Sequence, residues 1–132
     1  MRQKLALTAS DAQKMIDACR AEAQANDWSV SIAIVDDGGH LLKFERMDGA
    51  GLGTIEAAIQ KAKSAALFDG TTKALEDLVL ARLTFLNLPG YVPVQGGVPV
   101  KIGEDCIGGI GVSGVPSQCD EQIASAGLTV LD

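Results

Sequence analysis

Gly109-Ile110-Gly111-Val112-Ser113-Gly114, GIGVSG, spells the G-x-G-x-x-G pattern of a dinucleotide-binding turn letter for letter. That pattern holds a pyrophosphate only where a strand ends in a tight turn, a helix opens behind it, and a second parallel strand follows with an acid for the ribose. Here the six residues close the second strand of a hairpin, Pro116 separates them from the next helix, and five residues remain after Gly127. No second parallel strand fits in that space, so the dinucleotide reading fails. Gly108, Gly109, Gly111 and Gly114 instead mark places where side chains are left out because something lies close to the sheet. A helix faced with alanine, a second subunit and a ligand are the three possible occupants.

The surrounding elements follow from periodicity. Val98 to Ile102 and Cys106 to Val112 flank Gly-Glu-Asp as a hairpin. After it, Ser117 and Asp120 stand in capping-box spacing before a helix expected over about Gln118 to Ala126 and ended by Gly127. Upstream, Thr8 and Asp11 have the same spacing ahead of an amphipathic helix with Ala12, Met15, Ile16, Cys19 and Ala23 on one stripe. Val30 to Val35, Asp-Asp-Gly-Gly and His40 to Met47 form a first hairpin, the first run alternating large and small apolar residues. Thr54 is positioned to cap a second helix whose Ile55, Ala58, Ile59, Ala62, Ala65 and Ala66 share a stripe, and Asp69-Gly70 ends it. Thr72 to about Leu83 is a third helix, and Pro89-Gly90 and Gly96-Gly97 bracket a short extended piece.

At 132 residues the chain makes one domain, 1–132, without repeat or linker. A net charge of −6 opposes binding to nucleic acid. No apolar run reaches membrane-spanning length and Met1 to Ser10 lacks a signal-peptide core, so the sequence is that expected of a cytoplasmic protein. Cys19, Cys106 and Cys119 form no C-x-x-C pair, and His40 is the one histidine, so neither a disulfide framework nor a metal site is expected.

Taken in order, VDDGGHLLKFERMDGA, KAKSAALF, GGVPV and GEDCIGGIGVSG with a closing alanine-glycine helix resemble the HbpS/GlcG-like family, also found as the C-terminal domain of some corrinoid adenosyltransferases. The resemblance runs from Thr8 to Leu131. It implies an α+β fold with a mainly antiparallel sheet of about five strands covered by helices, similar to profilin-like and Roadblock-like folds, and it implies a homo-oligomer. In function it implies either heme binding or degradation, or a place beside enzymes of glycolate, diol or aromatic catabolism, or tautomerisation of ring-cleavage products.

Arg46 and Asp48 leave a strand just ahead of the second helix, where a bidentate guanidinium suits a heme propionate or an organic acid. The alternative is a surface pair of Arg46 with Asp48 or Glu45, or a brace for the loop. Ser113 and Gly114 precede the last helix, whose N-terminus favours an anion; otherwise they serve the turn. Gly96 and Gly97 allow close backbone approach on the same footing. Lys61 matches the lysine of the family's KAxTAA pattern and either meets a ligand or neighbouring subunit, or snorkels along the surface. His40 follows a hairpin turn, which favours a turn or strand-surface role over that of an axial heme ligand; Met47, Tyr91, Cys106 and Cys119 are further candidates for that ligand.

Three functions are consistent with these residues. The first is a small-molecule-binding protein holding heme or another anionic cofactor between Arg46, the glycine strand and a helix N-terminus. The second is a tautomerase in which Arg46 holds a carboxylate and Asp48 or His40 moves the proton, although Met1-Arg2 lacks the N-terminal proline base of known tautomerases. The third is a structural oligomeric subunit without catalysis.

Overall fold

A computed structural model describes residues 1–131. The order of elements is α1 (Ala9–Ala25), β1 (Ser31–Asp36), β2 (Leu41–Arg46), α2 (Thr54–Phe68), α3 (Thr72–Ala81), a 3-10 turn (Leu83–Asn87), β3 (Gly97–Ile102), β4 (Asp105–Ser113) and α4 (Ser117–Leu128). The capping box of α1 forms as expected: Thr8 Oγ1 accepts from the Asp11 N–H at 3.1 Å, and the Asp11 carboxylate accepts from the Thr8 N–H at 2.8 Å. The strands make one antiparallel sheet in the order β2-β1-β4-β3.

The alternation in β1 sorts the two faces of this sheet. Ile32 and Ile34, with Val98 and Val100 of β3 and Ile110 and Val112 of β4, pack against Met15, Ile16 and Cys19 of α1 and Ile123 of α4. Ala33 and Val35 point the other way, onto Ala58, Ala62 and Ala66 of α2. The large-residue face therefore carries two helices and the small-residue face carries one, with the residues of each face set by the two-residue period of the strands.

On the small-residue face the glycines receive their answer. A Cβ on Gly109 would meet the carbonyl oxygen of Ala62, and one on Gly111 would collide with that of Ala58 and the backbone nitrogen of Ala62. The occupant is the alanine helix, lying with its backbone directly on β4. Gly111→Ala is expected to force α2 off the sheet and lower stability in urea unfolding by about 1–3 kcal/mol. Gly70→Ala, which meets nothing closer than 3.7 Å, should stay within about 0.5 kcal/mol.

Several local expectations need correction. The sheet has four strands among the described residues, where about five were expected. The segment before β3 stays out of it because side chains satisfy its backbone: Val92 N–H donates to Ser64 Oγ at 2.7 Å and Gln95 N–H to Glu76 at 3.3 Å. Thr54 does not cap α2; its hydroxyl donates to Gly51 O at 2.6 Å and meets Ser31 Oγ at 2.9 Å. Gly127 does not end α4 but lies inside it, where a Cβ would come within 2.7 Å of Cys19 Sγ. Its missing side chain lets α4 close onto α1.

Candidate functional site

Residues 61, 96, 97 and 120 meet in the interior. Lys61 is 4% exposed, its ammonium donating to Val112 O at 3.1 Å and to Asp120 Oδ2 at 3.2 Å. It does not snorkel, because α2 lies too close to the sheet for its stem to escape. Gly96 and Gly97 line this buried stem: a Cβ on Gly96 would fall 2.8 Å from Lys61 Nζ, and one on Gly97 would strike the Lys61 carbonyl. Thr72 Oγ1 accepts the Gly97 N–H at 2.7 Å.

Asp120 is not part of a capping box with Ser117, which makes no capping bond. Its other oxygen accepts from the Val115 N–H at 3.2 Å, at the start of α4. Burial pushes the Asp120 carboxyl up, while the Lys61 ammonium and the N–H groups of Val115 and Gly114 draw it back down. The anion favoured at this helix end is thus supplied by the chain itself. A buried pair recovers its desolvation only when both partners are present. Lys61→Met should therefore lose about 3–5 kcal/mol in denaturant unfolding, and Lys61→Met with Asp120→Leu should lose clearly less than the two single losses added.

Arg46 belongs to a different place. It pairs with Ser31 of β1, and Ser31 pairs with Ser113 of β4, so Arg46, Ser31 and Ser113 form one row across the sheet, end residues about 10 Å apart. Ser31 bonds to Thr54 at the start of α2, which puts the row beneath that helix's N-terminus. Arg46, Asp48 and Gly114 are exposed and Ser113 is half-buried. Gly114 nevertheless has no room for a side chain, since a Cβ would lie 2.8 Å from Ser29 O.

Neither of the pairs considered for Arg46 forms. Glu45 is engaged by Arg20, at 2.7 and 3.1 Å, and among the described residues Arg46 and Asp48 make no ion pair. A groove of about 420 Å³ is lined by Arg20, Gln24, Glu45, Arg46, Met47 and Asp48. Of its charged groups Arg20 and Glu45 engage each other, which leaves Arg46 and Asp48 without an ion pair among the described residues. His40 precedes β2 while Arg46 ends it, a separation of about 20 Å along an extended strand. The structure therefore brings Asp48 and Met47 to Arg46 but not His40.

Of the other possible iron donors, Cys119 is half-buried in the first turn of α4 and does not line the Arg46 groove, and two more are engaged elsewhere. The Tyr91 hydroxyl donates to Phe85 O, and the Cys106 thiol donates to Ala66 O or Gly108 O. Burial pushes the Cys106 thiol up and that of Cys19 up to about 12, against reactivity as thiolates. No cluster of three metal-binding side chains occurs among the described residues, and none of the described helices is long and apolar enough to cross a membrane.

The sequence pointed to Arg46 through its strand-exit position. It did not point to Asp120, whose only signal was the capping spacing, nor to Arg20, which frees Arg46 by taking Glu45. Ser31 and Thr54 were likewise missed as a linked pair, since nothing in their local sequence relates residues 23 positions apart.

Comparison with known proteins gives consistent matches over most or all of the chain. Residues 7–129 match the family described as "Haem degrading protein HbpS-like". The chain is 42% identical to Protein GlcG of Escherichia coli (strain K12) over 114 residues, 86% of this chain and 85% of that one. A double mutant of Streptomyces reticuli HbpS superposes with a TM-score of 0.93 at 35% identity, covering 100% of this chain and 91% of that one. A PduOC:heme complex superposes with a TM-score of 0.87 at 28% identity, covering 97% and 96%.

Proposed function

Because this chain belongs to the HbpS-like family, we propose that it is a cytoplasmic, homo-oligomeric small-molecule-binding protein that takes heme or another anionic cofactor at the Arg46 groove and serves a catabolic pathway. The observation that carries this reading is the guanidinium of Arg46, exposed at a strand end with no acid on it among the described residues. A relative solved with heme, PduOC, and the family's description favour heme as the guest. Arg46 would hold a propionate through two parallel hydrogen bonds. Met47 is the iron-binding side chain that shares the groove.

Heme itself would supply redox chemistry at iron when bound; this chain's share is to receive the acidic edge. The groove is too small and too polar to wrap a macrocycle, and its one apolar side chain is Met47. Apolar cover would have to come from outside the protomer, which assembly of this profilin/Roadblock-like domain into homo-oligomers would supply. The packed glycines contribute backbone shape, not an open cradle: α2 and Lys61 already fill Gly96, Gly97, Gly109 and Gly111.

The enzymatic alternative retains Asp48 beside Arg46 as the proton carrier and loses His40. It has less support than binding, since no second acid or base stands opposite Asp48 in the groove apart from the engaged Glu45.

Hemin titration followed at the Soret band tests the binding reading. The wild-type protein should give a saturable band, and Arg46→Ala should weaken it by about tenfold or more, the usual worth of a hydrogen bond to a charged group. Absence of saturation in the wild type overturns heme as the guest, and unchanged affinity in Arg46→Ala moves the guest away from this groove.

A further inference from the structure

Between α3 and β3 the chain carries an apolar arm that its own fold does not cover. Leu80, Leu83 and Leu86 are 73%, 69% and 57% exposed, with Leu78 and Leu88 also open, and the 3-10 turn has no buried residue. This leaves a run of large apolar side chains in water, the kind of surface that marks an interaction site. From Leu78 to Val94 the one charged residue is Arg82. Its guanidinium lies over the Phe85 ring at 5.3 Å and meets no carboxylate among the described residues.

Along the edge strand β3, bordered by Thr71 ahead of α3, the structure has a matching receptor. A groove of about 740 Å³ between β3 and α4 is floored by Val98, Ile102, Leu128 and Leu131. Lys101 on its rim is neutralised by Asp69 at 3.1 Å, whereas among the described residues the Glu121 carboxylate makes no ion pair and accepts from the neutral Gln95 amide at 3.0 Å. The groove is therefore apolar with one uncompensated negative charge, and the arm is apolar with one uncompensated positive charge. In a chain of net charge −6, this is a contact through which two copies can approach without setting acid against acid.

The rim of β3 leaves the groove to side chains and not to strand addition. Thr72 Oγ1 takes the Gly97 N–H, and Pro99 has no N–H to give.

We propose that the Leu80–Leu88 arm of one copy docks in the β3–α4 groove of a second copy, with Arg82 set against Glu121 of that copy. The contact is between unlike surfaces, so it propagates head to tail and closes as a ring or a reciprocal dimer. This rests on the homo-oligomer part of the proposed function and names the surface that makes it.

Size-exclusion chromatography with light scattering on the full chain, over a concentration series, tests it by charge exchange. Wild type should be oligomeric, and Arg82→Glu and Glu121→Arg should each weaken association at least about tenfold. The doubly reversed variant should regain it, and circular dichroism should show all three folded, since Arg82 is exposed and Glu121 is not in the core. An oligomeric wild type whose single variants assemble unchanged sinks this interface and leaves the homo-oligomer reading standing. Loss on Arg82→Glu alone, with Glu121→Arg unaffected, replaces it with an arm-on-arm contact. A wild type that stays monomeric sinks both.

Discussion

The backbone of α2 rests directly on the glycines of β4, and most of the arrangement follows from that approach. With Gly109 and Gly111 facing Ala58 and Ala62, helix and strand come closer than any pair of ordinary side chains permits. Lys61, in the middle of α2, is then buried against the sheet and needs an internal acid. Asp120 supplies it from α4 on the far side of β4, so one ion pair ties α2, β4 and α4 together. The same close approach fixes the N-terminus of α2 over Ser31, through Thr54, and so sets the end of the sheet from which Arg46 projects.

Charge placement separates structure from function in this small domain. Asp120 occupies the α4 N-terminus and satisfies Lys61, while Glu45 satisfies Arg20. Of the four arginines, Arg46 and Arg82 are left without acids among the described residues, one beside a small polar groove and one on an apolar arm. Their surroundings call for different guests: a carboxylate-bearing small molecule at the first and a second copy of the chain at the second.

Local rules made much of the fold legible in the sequence. The Thr8 and Asp11 capping box, the large-small alternation of β1 and the alanine stripe of α2 each act within a few residues, and each led to the observed element. The Lys61–Asp120 pair spans 59 positions, and no local pattern relates the two residues; Lys61 could be placed at the edge of an apolar stripe but not inside it. Gly127 resembled a helix stop because its reason for being glycine is Cys19 on another helix. At the site, Arg46 and Asp48 were legible as strand-exit residues, whereas Gly96, Gly97 and Lys61 carried a ligand-like pattern whose cause is tight internal packing.

Amide hydrogen exchange measures most directly whether α2 and β4 form the rigid seam on which the rest depends. The amides of Ala62, Ala65, Ile110 and Val112 should exchange together and only through global unfolding, while those of α3 and the following turn should exchange by local opening well before them. Exchange of the α2 amides ahead of those in β4, by opening of the helix alone, would contradict a rigid seam.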